Sequence, residues 1–537
     1  MADFEVLVLG SGAAALATAV SAAGHGAQSV GVFEKSSVVG GTSAMSGGMI
    51  WIPGNHHMID QGIQDSREEI LTYLESLSHG RMRQEMIEAY VDYGPEMVQW
   101  FEANTEVIFE IVQDFPDYHP ENPGGNRTGG RSLECPLFSF KELGEWSNAI
   151  SQSRQMSPYL LMNETTLGRG AATGIPRELI KERAAEDLRG CGQALIGRLV
   201  KSSLDLGVEI KTGFTAEDLI ITNGVGESVT VQTDNGLVQV KADKVVIATG
   251  GFEWNPELVQ SFIRGPLERP VSIETNTGDG LKMSMRAGAA LGNMQEAWWV
   301  PVIDITDDEG NYIPWMVNRE RVNPRCIMVN SKGKRFANEA SNYNAFGAAF
   351  HHLEAGSFEY VNLPAWMILD QEYLVRHGLC RYRGEGTVPE WLTTAESLPA
   401  LADIIGCDGL QLEETVATWN AQVADLDDAD FHRGKSINDT HWGDGTRTES
   451  ATLGPIDKPP YYAVQVRPGA LGTKGGPLTN ANAQVLNLDG EIIKGLYAAG
   501  NAMASAMGMA YGGAGGTLGP CMVFGYLAGR HSVQSQS

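Results

Sequence analysis

The stretch from Phe4 to Glu34, FEVLVLGSGAAALATAVSAAGHGAQSVGVFE, predicts how the chain begins to fold. It reads as a short apolar strand, a turn with Gly10 and Gly12, an alanine-rich helix and a second strand that ends in Glu34. This order is the βαβ pattern of dinucleotide-binding folds, with alanine where the third glycine often stands. Gly10 permits the tight turn, Gly12 lets a pyrophosphate approach the helix N-terminus, and Glu34 can accept hydrogen bonds from a ribose. A dinucleotide site is therefore predicted at this turn.

The residues that follow favour FAD over a nicotinamide dinucleotide. A second turn rich in glycine and hydroxyl groups, GGTSAMSGG, occupies Gly40–Gly48. A nicotinamide fold would usually continue into another helix and parallel strand, whereas the pyrophosphate, ribityl chain and ring of a flavin can lie along such a turn. A buried strand, Lys244–Ile247, ends in the small-residue turn Ala248–Gly250, and a last strand, Ile492–Ala499, runs into a glycine-rich loop. All of these turns are expected to contact the cofactor.

Length and composition describe a globular enzyme of two or three domains. The 537 residues carry a formal net charge of -27, which argues against nucleic acid or an anionic membrane surface as a partner. The six cysteines are scattered without a CxxC pair, which favours a reducing, cytoplasmic compartment. No apolar run approaches the length of a membrane span, so neither a transmembrane segment nor a signal peptide is expected. The adjacent histidine pairs at 56–57 and 351–352 lack further ligands at metal spacing, so no metal is expected.

Strand patterns at both ends of the chain predict a discontinuous domain. Between them, from about residue 276 to 451, the composition becomes mixed and aromatic. The predicted fold class is α/β with an α+β insert. A Rossmann-like FAD-binding domain would comprise residues 1–277 and 452–537, and a substrate-capping domain would comprise residues 278–451.

At these motifs the sequence resembles the flavoprotein family of fumarate reductase, succinate dehydrogenase and the 3-ketosteroid dehydrogenases. The shared pattern, a glycine turn, a ribose acid and GG(T/S)-x-x-SGG, stands at Gly10–Gly12, Glu34 and Gly40–Gly48, with one extra residue before Ser46. A further family marker, GKRF-x-NE, stands at Gly333–Glu339. The predicted FAD contacts are Gly10, Gly12, Ala13, Ala14, Glu34, Lys35, Gly41, Thr42, Ser43, Ser46, Gly47, Gly48, Ala248, Thr249, Gly250, Gly500, Asn501, Gly516, Thr517 and Leu518.

The final loop distinguishes between branches of this family. Members that reduce dicarboxylates carry a histidine before a Thr-x-Gly-Gly run and an arginine in the final glycine loop. Neither is found in Leu471–Gly476 or in Gly515–Leu518, so fumarate and succinate are disfavoured as substrates. The segment Tyr511–Pro520, YGGAGGTLGP, instead resembles the Tyr-x-Gly-x-Gly-Gly-Thr-x-Gly-Pro element of the 3-ketosteroid Δ1-dehydrogenases.

This resemblance implies α,β-desaturation of a cyclic 3-oxo compound, most simply a 3-ketosteroid. Such a reaction needs a polarised carbonyl, a base at the α-carbon and an acceptor for the β-hydride, which oxidised flavin supplies. By resemblance, the Tyr511 hydroxyl and the Gly515 N–H bind the ketone oxygen, and Tyr343 removes the α-proton. Tyr118 would hydrogen-bond Tyr343 to favour its phenolate. Electrons would leave to a quinone or another external carrier, or the enzyme would run in reverse as an ene-reductase.

Departures from the family pattern leave alternatives open. The prolines that commonly flank the central glycine in steroid Δ1 enzymes are absent from the loop. Smaller cyclic ketones such as cyclohexanone remain candidate substrates, because the sequence does not place the residues that set the pocket size. Gly513 stands where a Δ4-(5α) subclass has serine, which disfavours that subclass. A different class of function, the flavoprotein subunit of an electron-transfer assembly, would have no need of the three tyrosines.

Overall fold

The computed structural model describes residues 2–170, 174–222, 225–307, 309–380 and 382–534. Within these residues, no helix has both the length and the apolar character that crossing a membrane requires. The helices are α1 (Ala13–Gly24), α2 (Gly41–Met45), α3 (His56–Asp60), α4 (Arg67–Ser78), α5 (Gln84–Asn104), α6 (Arg177–Glu186), α7 (Cys191–Asp205), α8 (Pro256–Phe262), α9 (Asp279–Arg286), α10 (Tyr343–Ala348), α11 (Gln371–Arg376), α12 (Leu398–Ile405), α13 (Gly409–Ala424), α14 (Ile437–Trp442) and α15 (Leu518–Gln534).

The strands are β1 (Phe4–Leu9), β2 (Val30–Glu34), β3 (Ile50–Trp51), β4 (Glu110–Ile111), β5 (Ser132–Glu134), β6 (Phe138–Ser139), β7 (Leu188–Arg189), β8 (Glu209–Thr212), β9 (Thr215–Thr222), β10 (Val225–Thr233), β11 (Gly236–Ile247), β12 (Arg269–Pro270), β13 (Leu291–Gly292), β14 (Ala297–Thr306), β15 (Tyr312–Met316), β16 (Cys326–Asn330), β17 (Ala365–Asp370), β18 (Thr393–Ala395), β19 (Tyr461–Thr473), β20 (Gly476–Pro477), β21 (Gln484–Leu486) and β22 (Ile492–Ala498).

A largely parallel sheet brings the two ends of the chain together. Its order is β21-β22-β10-β11-β1-β2-β8, with β9 on β10 and a further β22–β11 pairing. β1 pairs in parallel with β2 and β11, and β11 pairs in parallel with β22. The register places Leu9 beside Phe33 and Ile247, and Ile247 beside Ala498. The carboxyl ends of these four strands therefore share one edge, where ligands bind in such folds.

Helix α1 packs closely against α15 because α15 carries glycine at the points of contact. A Cβ on Gly525 would lie 2.5 Å from the Ala14 carbonyl oxygen, and one on Gly529 would lie 2.3 Å from the Thr18 carbonyl oxygen. The Ser21 hydroxyl donates to the Tyr526 carbonyl at 2.8 Å. Helix α15 thus covers α1, the helix that begins at the predicted pyrophosphate turn. This packing holds the final loop, which leads into α15, close to that turn.

A second sheet combines parallel and antiparallel pairs, and its strands come from residues 269–473. In sequence these residues lie between segments that build the first sheet. The order of the second sheet is β15-β14-β19-β17-β16, and β12 and β18 also pair with β19. The long strand β19 therefore belongs to this sheet, although it follows residue 452. The α/β class with an inserted sheet is confirmed, while the domain boundaries inferred from the sequence stay a prediction.

Candidate active site

A cavity of about 510 Å³ runs along the carboxyl edge of the parallel sheet and reaches the second sheet. All but one of the residues predicted to contact FAD or substrate line it. The exception is Gly516, whose N–H donates to the Gly513 carbonyl at 2.9 Å and which lies behind the Tyr511 ring. The functional roles assigned to these residues remain predictions, but the chain does bring them to one place.

The nucleotide end of the cavity is formed by the ends of β1, β2 and β11. Gly10 has a φ of +102°, and a Cβ there would lie 2.4 Å from the Ala248 carbonyl oxygen, so only glycine fits this turn. The two oxygens of the Glu34 carboxylate accept from the Ser11 hydroxyl at 2.6 Å and from the Ser36 N–H at 2.8 Å. These contacts hold the carboxylate at the carboxyl end of β2, where a ribose is expected.

Two further features of this end suit FAD. A Cβ on Gly41 would meet only the Gly12 Cα, at 4.0 Å, so the two glycine turns leave room for a ligand between them. The Thr249 residue lines the cavity, and its hydroxyl is buried against α9, where a Cβ on Gly280 would lie 2.3 Å from the hydroxyl oxygen. Lys35 is held in an ion pair with Asp279 at 2.6 Å. The residues present therefore fit the cofactor.

Three buried tyrosines meet at the other end of the cavity. The Tyr118 hydroxyl donates to the Tyr343 hydroxyl at 3.0 Å, and the Thr517 hydroxyl donates to the Tyr511 hydroxyl at 3.0 Å. The ring centroids of Tyr118, Tyr343 and Tyr511 lie 5.2–5.4 Å apart. Tyr343 is the first residue of α10, and the Asn342 side chain caps this helix by accepting from the Ala345 N–H at 2.9 Å.

Burial sets the protonation of these tyrosines. It raises the pKa of Tyr511, and it raises the pKa of Tyr118 and Tyr343 well above 10. All three phenols are therefore neutral near pH 7. To act as a base, Tyr343 must first release this proton to water, and the resulting phenolate accepts a hydrogen bond from the Tyr118 hydroxyl, 3.0 Å away.

A buried polar network, which sequence reasoning missed, positions the Tyr118 loop. The Asp117 carboxylate accepts from the Trp51 indole at 2.8 Å and from Arg131 at 2.5 Å, and Arg131 also pairs with Asp65 at 2.6 Å. The Tyr118 N–H donates to the Gly512 carbonyl at 3.0 Å, which ties this loop to the one that carries Tyr511. The only sequence signal was the density of prolines, glycines and charged residues around position 120.

Lys474 is a second group that sequence reasoning missed, because its segment was noted only for lacking a histidine. The side chain is fully buried. Its ammonium donates to the Ala510 carbonyl at 2.9 Å and lies 4.0 Å from the centroid of a Trp298 ring. Trp298 in turn packs edge-on against Tyr511 at 4.9 Å. Lys474 therefore supports both the loop that carries Tyr511 and the aromatic wall beside it.

The protonation of Lys474 should make stability depend on pH. Burial lowers its pKa to about 7, whereas a lysine in the unfolded chain stays near 10.5. Between these values the unfolded chain binds more protons, so the free energy of unfolding rises with pH. Relative to Lys474→Met, the wild type should gain about 2 kcal/mol between pH 7 and pH 9 in denaturant titrations.

The matched control for this experiment is Lys201→Met. Lys201 lies on the surface beside Asp205, which raises its pKa, so it stays protonated in both states over this range. The difference between wild type and this variant should not change from pH 7 to pH 9. An equally constant difference for Lys474→Met would show that Lys474 is not neutralised by burial.

One histidine cluster lies apart from the cavity. The His56 and His57 imidazoles contact the Glu102 carboxylate at 3.0 and 2.8 Å, and Asp60 lies close to both histidines. The Glu102 carboxylate contacts the Nε2 atoms of both rings. The absence of a metal stays a prediction.

Comparisons with known proteins agree with this arrangement. Residues 5–518 match the family described as FAD binding domain. The chain is 39% identical over 535 residues to 4-oxocyclohexanecarboxylate 2-dehydrogenase of Sinomonas cyclohexanicum, covering 98% of this chain and 92% of the relative. It is 36% identical to 3-oxosteroid 1-dehydrogenase of Mycobacterium tuberculosis, covering 98% of both.

A solved structure extends this likeness to three dimensions. The 3-ketosteroid Δ1-dehydrogenase from Sterolibacterium denitrificans, in complex with 1,4-androstadiene-3,17-dione, superposes with a TM-score of 0.92 at 33% identity over 99% of each chain. Together these matches confirm the predictions of FAD as cofactor, of an FAD-dependent oxidoreductase and of a resemblance to the 3-ketosteroid dehydrogenases.

Proposed function

The chain belongs to the family described as FAD binding domain, and from this membership we propose that it forms a carbon–carbon double bond next to the carbonyl of a cyclic ketone. The observation that carries the proposal is the cluster of three buried tyrosine hydroxyls in the cavity that the FAD motifs line. The two relatives compared above are both named as dehydrogenases of an oxo-bearing ring compound, one a small oxo acid and one a steroid.

The carbonyl would be polarised by Tyr511 and Gly515. Because Thr517 donates to the Tyr511 oxygen at 3.0 Å, the phenolic proton of Tyr511 is left to point into the cavity and to donate to the ketone oxygen. The Gly515 N–H is the second proposed donor. Two fixed donors of this kind stabilise the negative charge that develops on the oxygen as the α-proton leaves.

Tyr343 is the proposed base. In its ionised form, after its own proton has passed to water, it takes the α-proton of the ketone, while Tyr118, 3.0 Å away, donates a hydrogen bond to the phenolate oxygen. Oxidised flavin, when bound, supplies the acceptor for the β-hydride, so that loss of one proton and one hydride leaves a conjugated enone. The electrons are then proposed to pass to an external carrier such as a quinone.

The reaction is tested by mixing the FAD-loaded protein anaerobically with 4-androstene-3,17-dione, cyclohexanone or 4-oxocyclohexanecarboxylate. We expect at least one ketone to bleach the oxidised flavin band and to yield the matching enone. Cyclohexanol, which has no carbonyl to polarise, serves as the control and should leave the flavin oxidised. Bleaching by none of the three ketones would contradict the proposal and favour an electron-transfer subunit.

A further inference from the structure

Arg319 is a cationic group in the cavity wall that the proposed reaction does not use. It lies in the connection between β15 and β16 and lines the cavity. Among the described residues its guanidinium has no hydrogen-bond or ion-pair partner, and its Nε is buried. Arg319 is half-buried, and its buried Nε loses hydration without forming a hydrogen bond in its place, which is unfavourable.

Two buried arginines of the same region show the contrast. Arg325, six residues further on, bonds to Asp370 at 3.0 Å and also to Asp457 at 2.5 Å. Arg433 donates to the Cys326 carbonyl at 2.8 Å and pairs with Glu339. Arg319 stands alone among these groups in facing the cavity without an acceptor, which suggests that the acceptor belongs to a ligand.

Neither chain neighbour of Arg319 pairs with its guanidinium. The adjacent Glu320 carboxyl accepts from the Trp315 indole at 3.0 Å, and burial raises the pKa of this carboxyl. On the other side, the Asn318 side-chain oxygen is buried without a partner in the same wall. This part of the cavity therefore combines a guanidinium that lacks an acceptor with a carboxyl whose pKa is raised by burial and an amide oxygen without a partner.

The remaining charged groups of the cavity wall lie elsewhere and are accounted for. Glu34 is held by Ser11, and Lys35 pairs with Asp279 at the nucleotide end. The whole chain carries a net charge of -27, which repels anions at long range, so a ligand anion would need a local cation. Arg319 is the group of the described cavity wall that can supply it.

The segment that carries Arg319 also adjoins the proposed base. Arg321, two residues on, stacks 5.0 Å from the centroid of the Phe346 ring in α10, the helix that begins with Tyr343. A substrate whose ketone lies at the tyrosines can therefore present its far end to the 315–320 wall of the same cavity.

We propose that Arg319 binds a carboxylate carried by the ring of the ketone substrate, so that the preferred substrates are cyclic oxo acids. The inference rests on the proposed function for the reaction, but the carboxylate itself takes no part in the chemistry. A planar guanidinium can bind both carboxylate oxygens at once, which also orients the ring relative to the tyrosines.

The binding test uses cyclohexanecarboxylate, which has no ketone and cannot react. Titrated into the FAD-loaded protein, it should perturb the flavin absorbance and give a dissociation constant. Arg319→Met should weaken this binding on the order of 100-fold. Arg319→Lys keeps the positive charge but loses the planar pair of N–H donors, so it should weaken the binding less. Flavin content and melting temperature establish that both variants fold. Arg376→Met removes an exposed arginine paired with Glu372 and should bind like the wild type.

The kinetic test compares 4-oxocyclohexanecarboxylate with its methyl ester. The ratio of their kcat/KM values should favour the acid in the wild type and fall on the order of 100-fold in Arg319→Met. Equal binding of cyclohexanecarboxylate to wild type and Arg319→Met, with an unchanged ratio, would overturn the inference while desaturation stands. Arg319-dependent binding without flavin reduction by any ketone would support the carboxylate site and overturn the proposed reaction instead.

Discussion

Replacing Tyr343 by phenylalanine should lower kcat for ketone desaturation about 1,000-fold, because the variant keeps the ring and loses the group that accepts the α-proton. The Tyr343 side chain is 7% exposed, and its ring packs against Tyr118 at 5.4 Å and Trp442 at 6.1 Å. Phenylalanine preserves these ring contacts, so FAD binding and melting temperature should change little. Stopped-flow measurement of flavin reduction gives the rate directly.

A second measurement separates proton abstraction from hydride transfer. In D₂O the wild type should exchange the α-hydrogen of a bound ketone, and Tyr343→Phe should lose that exchange in step with kcat. The control is Tyr526→Phe, since the Tyr526 hydroxyl donates to Glu96 at 2.9 Å in α5 and does not line the cavity. A Tyr343→Phe variant that reduces its flavin at the wild-type rate would exclude Tyr343 as the base.

The fold and the cofactor could be predicted from the sequence because their signals are local. The turn at Gly10 and Gly12 needs glycine for backbone reasons that any βαβ unit shares, and Glu34 must follow the second strand. The tyrosine loop could be recognised because Tyr511 and Thr517 stand in one continuous motif. The structure adds that these two hydroxyls are hydrogen-bonded to each other.

Groups that depend on long-range packing were not visible in the same way. The contact between Asp117 and Trp51 joins residues 66 positions apart, and nothing in either local sequence indicates it. In the sequence, Lys474 and Arg319 resemble ordinary surface cations. Only the folded chain shows that Lys474 is buried against Trp298 and that Arg319 lines the cavity without a partner among the described residues. Burial and pairing are properties of the folded chain.

The family-marker run at Gly333–Glu339 forms a network of buried charges. Glu339 is fully buried and pairs with Arg335 at 2.7 Å and with Arg433 at 3.3 Å. The second carboxylate oxygen accepts from the Met328 N–H at 3.0 Å. This carboxylate ties the segment that leads into Tyr343 to strand β16, so the marker motif positions the proposed base without touching the substrate.

Glu339→Gln should therefore destabilise the protein by about 3–5 kcal/mol, because it leaves the buried charge of Arg433 without its carboxylate partner and Arg335 with Asp428 alone. Denaturant titration with flavin release as one signal measures the loss. The control is Glu372→Gln, which breaks another Glu–Arg pair of four-residue spacing, with Arg376, on the surface, and should cost less than about 1 kcal/mol.

The effect of pH on this variant follows from the sign of the Glu339 shift. Although burial alone would raise it, the two arginines hold the pKa of Glu339 below its usual value. The stability from the ionised carboxylate is therefore present above the unfolded pKa of about 4.5 and is lost as pH falls through the lower, folded pKa. The gap between wild type and Glu339→Gln should narrow in acid. A gap that is constant from pH 7 to pH 3, or a loss no larger than that of Glu372→Gln, would mean that neutral packing, and not buried charge, holds Tyr343 in place.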